Sequence, residues 1–123
     1  MTTIIERSGP RSFRLCGNVD ASNAGNVADV LEPYLEEAGD ITLDLNELEF
    51  MDSVGLGVLV TVARGLETHG RLVLENPQHV VARAIELAGL LEVDNILLSV
   101  VEAPPVMLEE PPPPSTLSGG PVP

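Results

Sequence analysis

One short stretch gathers the residue types that chemistry uses. Residues 44–60 read D-L-N-E-L-E-F-M-D-S-V-G-L-G-V-L-V, which sets the hydroxyl of Ser53 beside the carboxylate of Asp52, just ahead of a helix-forming run. A hydroxyl there is suited to cap a helix, accepting from a backbone N–H left free one turn in. Asp52 reads as a solvated loop carboxylate. Gly55 and Gly57 keep the first turn bare, so another molecule's backbone can approach closely. Each glycine costs the helix roughly 1 kcal/mol relative to alanine, so helix propensity does not explain them. Turnover chemistry has fewer residues behind it. His69 and His79 are isolated, and nothing pairs them with a nucleophile or with other metal ligands. There is no G-x-x-x-x-G-K-[ST] loop to cradle phosphates. Cys16, beside Gly17, reads as a core thiol. The chemistry expected is recognition, with no catalytic residue, cofactor or metal; a small α/β enzyme or nucleotide binder is the weaker reading.

The elements that must hold this stretch follow from hydrophobic periodicity. Residues 3–7 and 12–17 read as strands separated by the turn formers Ser8-Gly9-Pro10-Arg11, which predicts a hairpin. Over residues 24–38, Val27, Leu31, Tyr34, Leu35 and Ala38 recur at helical spacing, opposite Asn26, Asp29, Glu32, Glu36 and Glu37. Pro33 should kink or split that helix, and Gly39 should close it. Residues 41–45 read as a strand, followed by a turn over Asn46 to Phe50. A helix from about Val54 to His69 comes next. Residues 71–75 form another strand, Asn76-Pro77 opens a helix that runs to Ala88, and residues 96–101 form the last strand. The expected fold class is α/β: one domain with a mixed sheet of four to five strands and a parallel core, packed with helices.

The second helix carries its own signal. Val58, Leu59, Val62, Ala63 and Leu66 make one apolar face, while Leu56 and Val60 lie off that stripe. A helix apolar nearly all round is either sandwiched inside the protein or offered to a partner.

Composition bounds the rest. The chain has 123 residues and a net charge of −13, from 19 acidic and 6 basic side chains. The acid excess excludes a nucleic-acid binder and disfavours anionic lipid. No apolar run reaches the ~18–20 residues of a membrane span, and the first residues lack a signal-peptide pattern. A single cysteine fits a reducing cytosol, so a cytoplasmic location is expected. Eight of 11 prolines lie from Pro104 onward. Residues 1–103 are therefore read as the domain and 104–123 as a Pro-rich, disordered tail. No basic residue falls between Arg14 and Arg64, whereas Asp20, Asp29, Glu32, Glu36, Glu37, Asp40, Asp44, Glu47, Glu49 and Asp52 all do. That concentration suggests a negative docking face for a basic, salt-sensitive protein partner.

The pattern D-L-x-x-L-x-F-x-D-S-x-G-L-G-x-L at residues 44–59 resembles the signature of the STAS domain, as found in the anti-sigma-factor antagonists (anti-anti-sigma factors) of bacteria. L-C-G-N-V-D at 15–20, G-R-L-V-L-E-N-P at 70–77 and A-I-E-L-A-G-L-L at 84–91 match in order and spacing, so the resemblance spans nearly all of residues 2–100.

The resemblance implies a non-catalytic binding protein for an anti-sigma factor that is also an ATP-dependent serine kinase. It implies phosphorylation by that kinase at Ser53, release of the complex, and restoration by a serine phosphatase. Partner contacts are then expected from Asp20, Asp52, Ser53, Val54, Gly55, Leu56, Gly57 and Val60. A STAS-like subunit can instead be a non-switching structural part of a stress-sensing or lipid-transport complex. Three departures from the family stand out. Val54 replaces a small hydroxyl residue, Pro33 interrupts the first helix, and Pro104-Pro105 leave the final helix short or absent.

Overall fold

The computed structural model describes residues 4–66 and 69–100. The chain begins with a hairpin. Strand β1, Ile4–Gly9, turns at Pro10-Arg11 into β2, Ser12–Val19, and the two pair antiparallel with Ile5 opposite Leu15 and Arg7 opposite Phe13. Three parallel strands follow in chain order: β3 (Ile41–Met51), β4 (Leu72–Glu75) and β5 (Ile96–Ser99). Helices α1 (Ala24–Leu31), α2 (Ser53–Leu66) and α3 (His79–Leu87) make the crossovers. The result is one five-stranded mixed sheet with a parallel core, as the periodicity predicts; its strands lie in the spatial order β1-β2-β3-β4-β5.

Sequential strand order explains where the core lies. Strand–helix–strand connections are right-handed in nearly all proteins, so crossovers that always step the same way place their helices on the same face. Phe13, Leu15, Ile41, Leu43, Leu45, Leu72, Leu74 and Ile96 are all buried on that face. They form one cluster with Val27 and Leu31 of α1, Leu59, Val62 and Leu66 of α2, and Val81 and Ile85 of α3. The alternate strand residues, among them Arg14, Cys16, Asp44, Val73 and Glu75, are only half-buried. These parallel strands therefore alternate in polarity, where strands covered on both faces would be continuously apolar.

Several local expectations change. The turn read over Asn46 to Phe50 is strand: β3 runs on to Met51, pairing Cys16 with Glu47, Gly17 with Leu48, Asn18 with Phe50 and Val19 with Met51. Two register shifts interrupt that pairing, so the buried residues fall at 45, 48 and 51, a spacing that hides the strand's period of two. Pro33 splits the first helix as expected. Regular α-helix stops at Leu31 and continues as a 3-10 helix over Glu32–Glu36. Asn76 is not the cap of α3. It holds a left-handed φ of 51°, and Gln78 occupies the N-cap position. Gly89, at φ 78°, ends that helix.

Arg11 fastens the hairpin to the layer above it. Its guanidinium donates to the carbonyls of Tyr34, Glu37, Gly39 and Asp40 at 2.8–3.2 Å. Gly39 has φ 131°, and a Cβ there would fall 3.0 Å from the Arg11 side chain, so the clasp requires glycine. The expectations for the last strand beyond Ser99, for the final helix and for the 104–123 tail fall on or run into residues outside those described.

Candidate docking site at the start of the second helix

Two chain reversals meet at the carboxyl ends of β2 and β3. The first is the loop from Asp20 to Asn23. Asn23 is the one buried polar residue among the described residues, and its side chain is bonded through both its oxygen and its nitrogen. Its side-chain oxygen accepts from the Asp20 amide at 2.9 Å, and its amide nitrogen donates to the Asn18 carbonyl at 2.9 Å. The Asp20 carboxylate in turn accepts from the amide and hydroxyl of Ser22 at 2.9 and 2.6 Å. The Ser22 hydroxyl, followed by its amide, holds the Asp20 carboxyl below the usual aspartate range. Such mutual bonds over-determine a short loop and fix where Asp20 stands.

The second reversal is the turn from β3 into α2. The Asp52 amide donates to the Val19 carbonyl at 3.0 Å, so the two reversals are joined. Asp52 caps α2: its Oδ1 accepts from the amides of Val54 at 3.0 Å and Gly55 at 3.1 Å, and its carbonyl accepts from Leu56 at 2.9 Å. This corrects two readings of the sequence. Ser53 is not the cap, and Asp52 is not a merely solvated carboxylate. An aspartate oxygen satisfies the free helix amides as well as a serine oxygen does and adds a favourable charge to the helix dipole. Ser53 is instead the first helical residue, exposed, with its hydroxyl making no hydrogen bond among the described residues.

The remaining expected contact residues divide. Val54 is 45% exposed, and Gly57 faces open space, where an added Cβ would touch nothing within 4 Å. Val60 is half-buried and packs against the core. Gly55 and Leu56 point inward. A Cβ on Gly55 would lie 2.7 Å from side-chain atoms of both Val19 and Met51, so this glycine lets α2 seat on the sheet rather than on a partner. The structure thus brings Ser53, Val54 and Gly57 to the surface near Asp20 and Asp52, and withdraws Gly55 and Leu56 from it.

Phe50 was missed as a surface residue. It is 47% exposed, three positions before Ser53, while Phe13 packs edge-to-face on Tyr34 with ring centroids 5.1 Å apart. The signal was its place in F-x-D-S, hidden by the turn reading.

The acidic stretch is also partitioned. Glu37, Asp40 and Asp44 lie against Arg11, Arg71 and Arg14. Asp29, Glu32 and Glu36 stay exposed on α1 and the 3-10 helix without ion pairs among the described residues. Cys16 is not in the core. It sits half-buried on the sheet face away from the helices and donates to Glu47 Oε1 at 3.3 Å; burial, then the Glu47 carboxylate, pushes its thiol up. Among the described residues no helix is long and apolar enough to cross a membrane.

Comparison with known proteins follows the same outline. Residues 2–103 match the STAS domain family. The chain is 30% identical over 83 residues to the anti-sigma-B factor antagonist of Bacillus subtilis, covering 67% of this chain and 76% of that protein. It is 34% identical over 84 residues to the anti-sigma-B factor antagonist of Listeria monocytogenes, covering 67% and 74%. The solved structure of the anti-sigma factor antagonist SpoIIAA in its unphosphorylated form shares the fold, with TM-score 0.59 and 18% identity over 85% of this chain and 92% of that one.

Proposed function

This chain belongs to the STAS domain family, and from that premise we propose that it is an anti-sigma-factor antagonist, switched by phosphorylation of Ser53. In this reading it binds a serine-kinase anti-sigma factor through the start of α2, with Asp20, Asp52, Ser53, Val54, Gly57 and the half-exposed Phe50 at or beside the contact. Val60 supports the helix from beneath. Binding frees the sigma factor. The kinase then phosphorylates Ser53, the complex parts, and a serine phosphatase returns the protein to its binding form. It is a bacterial, cytoplasmic binding protein that performs no catalysis of its own.

The observation that supports this most is the pairing of an exposed Ser53 hydroxyl with a helix end already capped by Asp52. A phosphate brings about −1.5 to −2 charges. A helix N-terminus usually accommodates an anion through its free amides. Here the amides of Val54 and Gly55 are taken, so a phosphate on Ser53 would stand beside a carboxylate and remain on the surface. The fold has no reason to rearrange. What changes is the surface, which would carry a desolvated, unpaired dianion into any contact.

The test is to incubate the protein with its cognate serine-kinase anti-sigma factor and ATP, then map phosphate by intact mass and peptide fragmentation. One phosphate, on Ser53, is expected; phosphate elsewhere with Ser53 unmodified would remove the site assignment.

A further inference from the structure

The first and second helices do not close on each other along their whole length. Pro33 stops α1 at Leu31 and turns the chain into the 3-10 helix Glu32–Glu36. That helix carries Leu35 over α2 at Gly65, where an added Cβ would lie 2.7 Å from the Leu35 side chain. Before that contact the α1 wall is only the small Ala28, and a groove of about 210 Å³ opens, lined by Ala28, Glu32, Leu35, Thr61 and Val62. Glu32 is the one charged residue in this lining. The Thr61 hydroxyl is spent within α2, donating to the Gly57 carbonyl at 3.0 Å.

The groove lies on the side of α2 that begins with Ser53. Ser53, Gly57 and Thr61 recur at i, i+4 and i+8, and Thr61 stands about 12 Å along the helix from Ser53. That exceeds the screening length of about 8 Å at physiological salt, so a charge on Ser53 acts only weakly at the groove.

Charge decides what fits. Asp29, Glu32 and Glu36 recur at i, i+3 and i+7 along the α1 wall, exposed and without ion pairs among the described residues. An apolar slot therefore runs beneath a rim of carboxylates. An anion is repelled there, and a purely aliphatic group leaves the rim unanswered. Lysine and arginine answer both, laying a methylene stem along apolar surface and holding the cationic head at its edge. A space of ~150 Å³ already takes a benzene-sized group, so a long side chain fits this one. Apolar grooves of this kind receive amphipathic helices.

We propose that the α1–α2 groove docks a basic, amphipathic helix of a partner protein, with an aliphatic stem in the slot and cationic heads on Asp29, Glu32 and Glu36. That this partner is the anti-sigma factor rests on the function proposed above. The groove then adds a second contact whose contribution does not depend on the state of Ser53.

The test starts from a probe of defined chemistry, a synthetic helical peptide of leucine and lysine, titrated into the isotope-labelled full chain. Amide shifts should saturate and concentrate on Ala28, Glu32, Thr61 and Val62. Thr61→Leu fills the slot without changing charge and favours the helix, so it should weaken the peptide at least fivefold with no loss of melting temperature. Glu32→Lys should weaken it at least tenfold and flatten its salt dependence. Shifts spread over the whole acidic surface, or an affinity that Thr61→Leu leaves unchanged, would overturn the proposal. Titrating the same variants with the cognate serine-kinase anti-sigma factor separates the two readings. Weaker binding by both variants is expected. Unaltered binding by both would overturn the groove and leave the Ser53 switch standing. No binding of the kinase by the unsubstituted protein, alongside an intact peptide response, would remove the proposed function and leave the groove assigned.

Discussion

The Asp52 amide donates to the Val19 carbonyl at 3.0 Å, so the residues preceding Asp20 and Ser53 are fastened to each other. Two acidic residues from different crossovers, Asp20 and Asp52, thereby follow directly from backbone segments that are hydrogen-bonded to each other. Neither reversal depends on the Ser53 hydroxyl for its own geometry, because Asn23 locks the first and Asp52 caps the second. Ser53 is thus exposed while Asp52 does the capping, and that separation of duties underlies the expectations below.

Substituting the two neighbours should divide stability from switching. Ser53→Ala should leave the melting temperature nearly unchanged, since no hydrogen bond is lost, and should abolish phosphate transfer. Its complex with the kinase should persist in ATP. Asp52→Ala should cost about 1 kcal/mol through loss of the cap, or roughly 4–8 °C in a domain of this size. Thermal melts of the two variants side by side check this, and a Ser53→Ala protein as unstable as Asp52→Ala would return the capping role to the serine.

The two glycines should respond with opposite signs. Gly55→Ala drives a methyl to 2.7 Å from Val19 and Met51 and should destabilise by about 1–3 kcal/mol. Gly57→Ala meets open space and should stabilise by up to ~1 kcal/mol through helix propensity, while weakening partner binding if that face docks. Denaturant midpoints give the first comparison and calorimetric titration of the partner the second.

Phe50→Ala should weaken binding far more than it affects folding. A half-exposed phenyl ring contributes little to the core, yet aromatic side chains dominate protein interfaces. A drop in melting temperature with unchanged affinity would place the ring among the structural residues.

Acid should act through Asp40 as well as through Asp20, both of which are held below the usual aspartate range. The Asp40 Oδ1 and Oδ2 accept from the amide and guanidinium of Arg71, each at 3.0 Å, and the guanidinium hydrogen bond above all holds the carboxyl below its ordinary value. A depressed folded pKa means the stabilisation is fully present above the unfolded value of about 3.9. It is lost as pH falls from there through the lower folded value. Asp40→Asn should lower stability modestly at neutral pH, because the pair is partly exposed, and should make the loss below about pH 4 shallower. Melting temperature measured against pH for both proteins checks the direction.

Much of this was legible in the sequence because each layer repeats a simple period. The one-sided burial of Ile41, Leu43 and Leu45 and of Leu72 and Leu74 gave clean alternation, and Pro33 split its helix as a missing donor must. Residues 46–51 were not legible, since the register shifts against β2 set Leu48 and Met51 three apart and disguise strand as turn. The same disguise concealed Phe50. Asp52 was misjudged because Asp and Ser are both good caps and stand adjacent, so composition cannot say which oxygen reaches Val54 and Gly55. The inward turn of Gly55 is a matter of close approach between α2 and Val19, which no local pattern records.

Calorimetric titration of the cognate serine-kinase anti-sigma factor with unmodified and Ser53-phosphorylated protein tests the central claim most directly. Both forms should show the same melting temperature to within a few degrees, and phosphorylation should weaken binding at least tenfold, or about 1.4 kcal/mol. Equal affinities for the two forms would contradict the account.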